Sequence, residues 1–151
     1  MPQSLSAVYV HAVFSTKDRR PLLCDQAVRG ALHAYLGGIS GRLDCPPVRV
    51  GGVEDHVHVL AALARTITQA DLVKELKRAS TLWIKDQGSD YLDFRWQAGY
   101  AAFSVSQSNL GQVSDYIANQ AEHHRKLTFE EEYRSLLRKH ELEFDERYVW
   151  D

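Results

Sequence analysis

Two extended runs meet almost end to end near the middle of this chain: Val48 to Val53, and Val53 to Leu63, with Gly51-Gly52 at the junction. Valine-rich runs joined by glycines read as the two strands of a hairpin, or as a strand pair carrying a bulge. A helical stretch precedes the pair and another follows it, and few folds accept a hairpin in that place. Residues Leu5 to Ser15 read as an earlier strand, rich in Val, Tyr and Phe. Asp25 is a good N-cap for a helix running to about Leu36, with Ala27, Ala31, Leu32 and Tyr35 facing inward and Gly37-Gly38 ending it. The second helix starts with the capping-box-like Thr68-Gln69-Ala70-Asp71, buries Leu72, Leu76, Ala79 and Trp83, and stops at Gln87-Gly88-Ser89. After an aromatic loop, Tyr91 to Gln97, the segment Tyr100 to Val105 is a fourth strand. The order β-α-β-β-α-β predicts an α+β chain with the ferredoxin-like split βαβ arrangement. That is a four-stranded antiparallel sheet with two helices on one face, strands 1 and 3 at its centre, and extra C-terminal helices beyond.

The length of 151 residues suits one domain, 1–151, with a real core. No apolar run reaches the ~18 residues of a membrane span, and the start MPQSLSAVYV lacks the basic and apolar regions of a signal peptide. Cys24 and Cys45 lack metal-site spacing and read as reduced thiols of a cytoplasmic protein. The net charge of −2 argues against indiscriminate nucleic-acid binding, but it is unevenly spread. Residues 130–151 carry a net of −4, so the body carries +2, which permits a polyanionic partner.

The chemistry concentrates in two stretches. On an extended strand Glu54, His56 and His58 project to one side, so the histidines of His56-Val57-His58 share a face. Ser108 to Lys126 reads as one helix, with Leu110, Val113, Ile117 and Ala121 as its apolar stripe. Tyr116 and Gln120 lie one turn apart on a row offset from that stripe, and His123 continues the row. A tyrosine is a candidate covalent nucleophile, and two imidazoles with an amide oxygen make a neutral metal-ligand set, to which Glu54 could add. Such a set leaves the charge of a divalent ion free to polarise a phosphate oxygen. The bland alternatives are a hydrogen-bonded histidine pair and a helix-surface tyrosine. Cationic groups frame the same picture: Lys17, Arg19 and Arg20 in a loop after strand 1, Lys77 and Arg78 on the second helix, and His123, His124 and Arg125 after the tyrosine. Each set reads either as an ordinary solvated face or as a phosphate-contacting track. Thr128-Phe129-Glu130-Glu131 opens a last helix to about Lys139, and Glu143 to Asp151 is an extended tail able to dock on the body or on a second subunit.

In order, HAVFSTKDRRPLL, EDHVHVL, LVKELKRASTLWI, RWQAGYAAFSVSQS and DYIANQAEHHRKLTFEEEYRSLL resemble successive blocks of the single-tyrosine HUH transposases. That family comprises small insertion-sequence transposases and the REP-associated tyrosine transposases. The resemblance implies a divalent metal, Mg²⁺ or Mn²⁺, on His56, His58 and Gln120. It implies that Tyr116 attacks single-stranded, hairpin-bearing DNA, forms a 5′-phosphotyrosine link and frees a 3′-OH. It also implies a homodimer in which the tyrosine helix of one subunit can complete the histidine pair of the other. Two other readings use the same residues: a non-catalytic ferredoxin-like nucleic-acid-binding module, and a metal-dependent hydrolase acting through water.

Overall fold

The computed structural model describes residues 2–151. Its four strands are β1 (Tyr9–Ser15), β2 (Pro47–Gly52), β3 (His56–Ala62) and β4 (Ala101–Val105), in the sheet order β2-β3-β1-β4. All three pairings are antiparallel, and β1 and β3 are central, with Ser15 opposite His56 and Val13 opposite His58. This is the α+β split βαβ sheet that the element order predicts.

Strand alternation divides the sheet into two unlike faces. Ala12 and Phe14 of β1 and Val57, Val59 and Ala61 of β3 point to one side. There α1 (Gln26–Arg42) and α2 (Gln69–Lys85) cover them with Leu32, Leu36, Ile39, Leu72, Leu76 and Ile84. Both helices are capped as the sequence predicts, Asp25 accepting from Ala27 and Val28 and Thr68 from Asp71. The other face is covered by α3 (Leu110–Ala118), the single turn α4 (Gln120–His123) and α5 (Phe129–Lys139). Its smaller core joins Val13, Ala101 and Phe103 of the sheet to Phe129, Tyr133 and Leu137 of α5.

The structure corrects several expectations. Gly37-Gly38 does not end α1, which runs on to Arg42. Its last turns carry Ile39 and Ser40 into the core, and that burial outweighs the local cost of two glycines. The single helix expected from Ser108 to Lys126 breaks at Asn119, so Ala121, expected on the buried stripe, is exposed. Glu54 lies in the bend before β3 rather than on its face, where its carbonyl accepts from the Leu23 amide. The tail is not extended: residues 146–150 form turns, and Trp150 packs near Tyr133 with ring centroids 5.7 Å apart. The tail end is tied to the body, where the Asp151 carbonyl accepts from the Gly99 amide at 2.8 Å.

Gly51 positions the tyrosine helix. A Cβ there would lie 2.7 Å from the carbonyl oxygen of Ile117 and 2.8 Å from its Cγ2, so α3 crosses β2 closely only because residue 51 lacks a side chain. Gly52, at φ +153° and with no room for a Cβ, makes the turn toward β3.

Candidate active site

The two histidines of β3 point away from the apolar face, into the space beneath α3, α4 and α5. His56 and His58 are both 0% exposed. His56 Nδ1 donates to the Asp55 carboxylate at 2.7 Å, which aims Nε2 inward. His56 Nε2 lies 2.9 Å from Gln120 Oε1 and 3.2 Å from Glu132 Oε1. His58 Nε2 lies 3.1 Å from the same Glu132 oxygen, and so does His124 Nε2. On the other carboxylate oxygen, Glu132 accepts from Gln120 Nε2 at 2.9 Å and from the Tyr116 hydroxyl. Tyr116, His56, His58 and Gln120 thus meet within one chain, on a carboxylate at their centre.

Glu132 is 2% exposed, and the sequence reading did not pick it out. It sits in the run Glu130-Glu131-Glu132, which looks like the acidic first turn that any helix favours. Glu131 does close the capping box with Thr128. The available signal was periodicity: Phe129, Glu132, Tyr133 and Leu137 fall on one helix face, so an acid occupies an apolar row. The break at Asn119 has a similar effect on the histidines. His124 reaches Glu132, while His123, expected on the active row, lies tilted against the Tyr116 ring with centroids 4.7 Å apart.

The charges follow from this packing. Burial works against a charged His56, but hydrogen bonds to Asp55 and Glu132 outweigh it and raise its pKa to about 9. Burial dominates at His58 and lowers its pKa despite Glu132. It also lowers His11 to about 3, with His58 beside it. Burial would push Glu132 up, yet hydrogen bonds from His124, His56 and His58 hold its carboxyl far below the usual carboxylate range. Tyr116 is raised, first by burial and then by the adjacent Glu132 charge, so its hydroxyl is held as a phenol.

The donors suit a divalent ion. His56, His58 and Glu132 each offer one ligand atom, and these atoms lie within 4.8 Å of one another. That separation accommodates a shared ion at the ~2.0–2.6 Å typical of nitrogen and oxygen ligands. Glu132 makes the set anionic, where the sequence predicts a neutral one.

The cationic residues separate into distinct environments. Lys77 Nζ donates to the carbonyls of Gln97, Ala98 and Gly99 at 2.6–3.1 Å, and burial lowers its pKa to about 8. Arg78 pairs with Glu75 at 2.8 Å, Arg19 with Glu130 at 3.1 Å and Arg125 with Glu122 at 3.6 Å. Lys17 and Arg20 form no ion pair among the described residues.

Two solved structures share this architecture. One is a presumed transposase of Deinococcus radiodurans R1, 24% identical, with a TM-score of 0.61 over 80% of this chain and 95% of that one. The other is a REP-associated tyrosine transposase bound to a REP hairpin, 13% identical, with a TM-score of 0.59 over 82% of this chain and 72% of that one. Curated proteins give no significant match. The sequence profile of the family described as "Transposase IS200 like" matches residues 4–120, which take in the whole sheet, His56, His58, Tyr116 and Gln120 but stop short of Glu132. With more than half its length matched in this way, the chain belongs to the IS200-like transposase family.

Proposed function

We propose that this transposase, as one catalytic domain spanning 1–151, nicks and rejoins single-stranded, hairpin-bearing DNA with Tyr116 as nucleophile. The observation that carries the reading is the convergence of the Tyr116 hydroxyl, His56, His58 and Gln120 on the buried carboxylate of Glu132. Such a constellation has parts that phosphoryl transfer to a side-chain hydroxyl uses: a nucleophile, a hydrogen-bond acceptor that orients it, and an adjacent polarising site.

In the first step the Tyr116 oxygen forms a bond to the phosphorus of a DNA phosphodiester. The phenolic proton is lost as that bond forms, the P–O3′ bond breaks, and the departing 3′ oxygen takes up a proton and leaves as a hydroxyl. The product is a 5′-phosphotyrosine link that retains the phosphodiester energy, so attack by a 3′-OH rejoins the strand without nucleotide hydrolysis. His56, His58, Gln120 and Glu132 would hold a divalent ion, Mg²⁺ or Mn²⁺, which when bound would polarise the phosphate oxygens as a Lewis acid. Asp55 fixes the His56 ring, and the Gln120 amide bridges His56 to Glu132. Both hold the donors in place through the reaction.

The REP-hairpin complex of the structural neighbour supports a DNA partner. We assign phosphate contacts to Lys17, Arg19 and Arg20, to Arg78, and to His123 and Arg125 beside the nucleophile; Lys77 and His124, expected on the same track, direct their donors to backbone carbonyls and to Leu127 and Glu132. Lys17 and Arg20 are its freest members. The protein acts in the cytoplasm as a homodimer whose two sites each form within one chain. Two free cysteines suit that compartment, and no described helix is long and apolar enough to cross a membrane.

The test is incubation with single-stranded DNA from the repeats flanking the gene, with Mg²⁺ or Mn²⁺, read on a denaturing protein gel. A shifted covalent band is expected for the native chain and none for Tyr116→Phe. Metal-dependent cleavage that survives Tyr116→Phe would replace this reading with a water-using hydrolase. Binding with neither adduct nor cleavage would leave a nucleic-acid-binding module.

A further inference from the structure

Next to the nucleophile lies a cavity of about 330 Å³ that the chemistry above does not use. Tyr116 forms part of its wall, with His11, Phe103, Asn109, Gln112 and His140. Phe103 and His140 stack on each other with ring centroids 4.2 Å apart and planes 25° from parallel, and both line the cavity, with His140 exposed. Asn109 and Gln112 also line it and are exposed, and their side-chain amides make no hydrogen bond among the described residues. His11 is 4% exposed. One of its ring nitrogens, Nε2, is 2.8 Å from His58 Nδ1, and the other has no partner among the described residues. A buried imidazole with a free nitrogen on a cavity wall is a polar group lacking its second hydrogen bond.

We propose that this cavity is a nucleobase subsite, which takes the base of a nucleotide flanking the phosphate that Tyr116 attacks. The inference rests on Tyr116 being the nucleophile of single-stranded DNA. In a single strand the bases are unpaired and can be turned into a protein pocket, stacked on aromatic rings and read along their hydrogen-bonding edges. The exposed His140 ring, backed by Phe103, supplies the stack. Asn109, Gln112 and the open His11 nitrogen supply donors and acceptors at separate points around a planar guest. Amides carry both a donor and an acceptor, so the pocket discriminates between bases instead of accepting all four equally. A strand seated this way has its backbone next to the Tyr116 hydroxyl. The link from His11 to His58 joins the pocket directly to the candidate metal ligands. Base choice and positioning of the scissile phosphate then belong to one connected structure.

Two measurements test this, one of which needs no cleavage. In the first, Tyr116→Phe protein is titrated with each deoxynucleoside 5′-monophosphate, with deoxyribose 5-phosphate as the base-free control, and the histidine ring signals are followed by NMR. The His11 and His140 signals should shift, by amounts that differ between bases, while the base-free control should leave them in place. Unchanged signals, or equal shifts with the control, would overturn the proposal. In the second, a pool of random single-stranded oligonucleotides is offered to the native chain and to Asn109→Ala/Gln112→Ala, and the DNA left on Tyr116 is sequenced. The native chain should show a preference of threefold or more for one base beside the link, and the variant should lose it. No preference in the native chain, or the same preference in the variant, would also overturn it. Absence of any adduct would instead reject the tyrosine reaction, and the nucleotide titration would then judge the cavity alone.

Discussion

The two faces of the sheet are built on opposite rules. Under α1 and α2 the chain buries apolar side chains and little else, with Phe14, Leu32, Leu36, Leu76 and Ile84 all at 0% exposure. Under α3 to α5 it buries His56, His58, Gln120 and Glu132, none more than 2% exposed. Apolar burial stabilises by the area removed from water, whereas buried polar and charged groups cost free energy unless each finds a partner. On the second face every one of these groups does find a partner, and the partners are one another. The apolar face holds the sheet rigid, and the polar face uses that rigidity to keep reactive groups in contact.

The contrast is sharpest in an all-or-none mixing experiment. Two inactive proteins, Tyr116→Phe and His56→Ala, are combined and allowed to exchange subunits. In a site formed within one chain each protein keeps its own lesion, and no DNA adduct should appear. If the tyrosine helix crossed to a partner, the intact tyrosine of one protein would meet the intact histidines of the other and nicking would return. That result would show that the polar face belongs to the dimer and not to the chain.

The next largest effect should come from the apolar face. Phe14→Ala removes a ring that meets Trp96 edge-on with centroids 4.9 Å apart. Its loss should cost about 3–5 kcal/mol of stability. A denaturant titration measures that cost. Below the unfolding transition, adduct formation should be nearly unchanged. Activity lost before the fold would mean that the two faces are not separable.

A third, smaller effect should arise where the faces meet. Gly51→Ala puts a methyl group against the Ile117 carbonyl, and α3 must lift off β2. Overpacking of this kind costs about 1–3 kcal/mol. Tyr116 sits one residue from the contact, so the adduct rate should fall by more than the loss of stability accounts for. Equal rates at matched folded fractions would remove Gly51 from the positioning of the nucleophile.

The unlike rules also explain what the sequence revealed. Periodicity is a record of apolar burial, so the strand order, the central places of β1 and β3 and the caps at Asp25, Thr68 and Thr128 were legible in it. The His56, His58, Tyr116 and Gln120 group was legible through spacing and family resemblance, and the structure brings the four side chains together. Glu132 was not legible, because an acid in a first turn has a sufficient local explanation and its partners lie 8 to 76 positions away in the chain. The ends of α1 and the break at Asn119 were missed for the converse reason. Local propensity favoured a stop at Gly37-Gly38 and continuity through Asn119, and tertiary packing overrode both.

The last expected effect is on pH dependence, and here each face contributes. In the metal-free protein His56 has its pKa raised to about 9 from an ordinary 6.5, through Asp55 and Glu132 acting against burial. The folded chain therefore holds a proton that the unfolded chain has lost, so this stabilisation is complete below pH 6.5 and disappears as pH rises through 9. His11 on the polar face and His33 on α1 have the opposite sign. Burial lowers them to about 3 and about 4, so below pH 6.5 the unfolded chain binds protons that the folded chain refuses. Stability then falls as pH drops. The melting temperature of metal-free protein should peak near pH 6.5, decline by several degrees toward pH 9 and decline again toward pH 4. Two substitutions separate the limbs. His56→Gln should flatten the alkaline decline and leave the acid one, while His33→Gln should reduce the acid decline and leave the alkaline one. Saturating Mn²⁺ should reverse the alkaline slope, because the ion competes with the proton for His56 Nε2 and binds more tightly as pH rises. A melting profile that rises steadily from pH 6.5 to 9 without metal would show that the carboxylates do not hold a proton on His56.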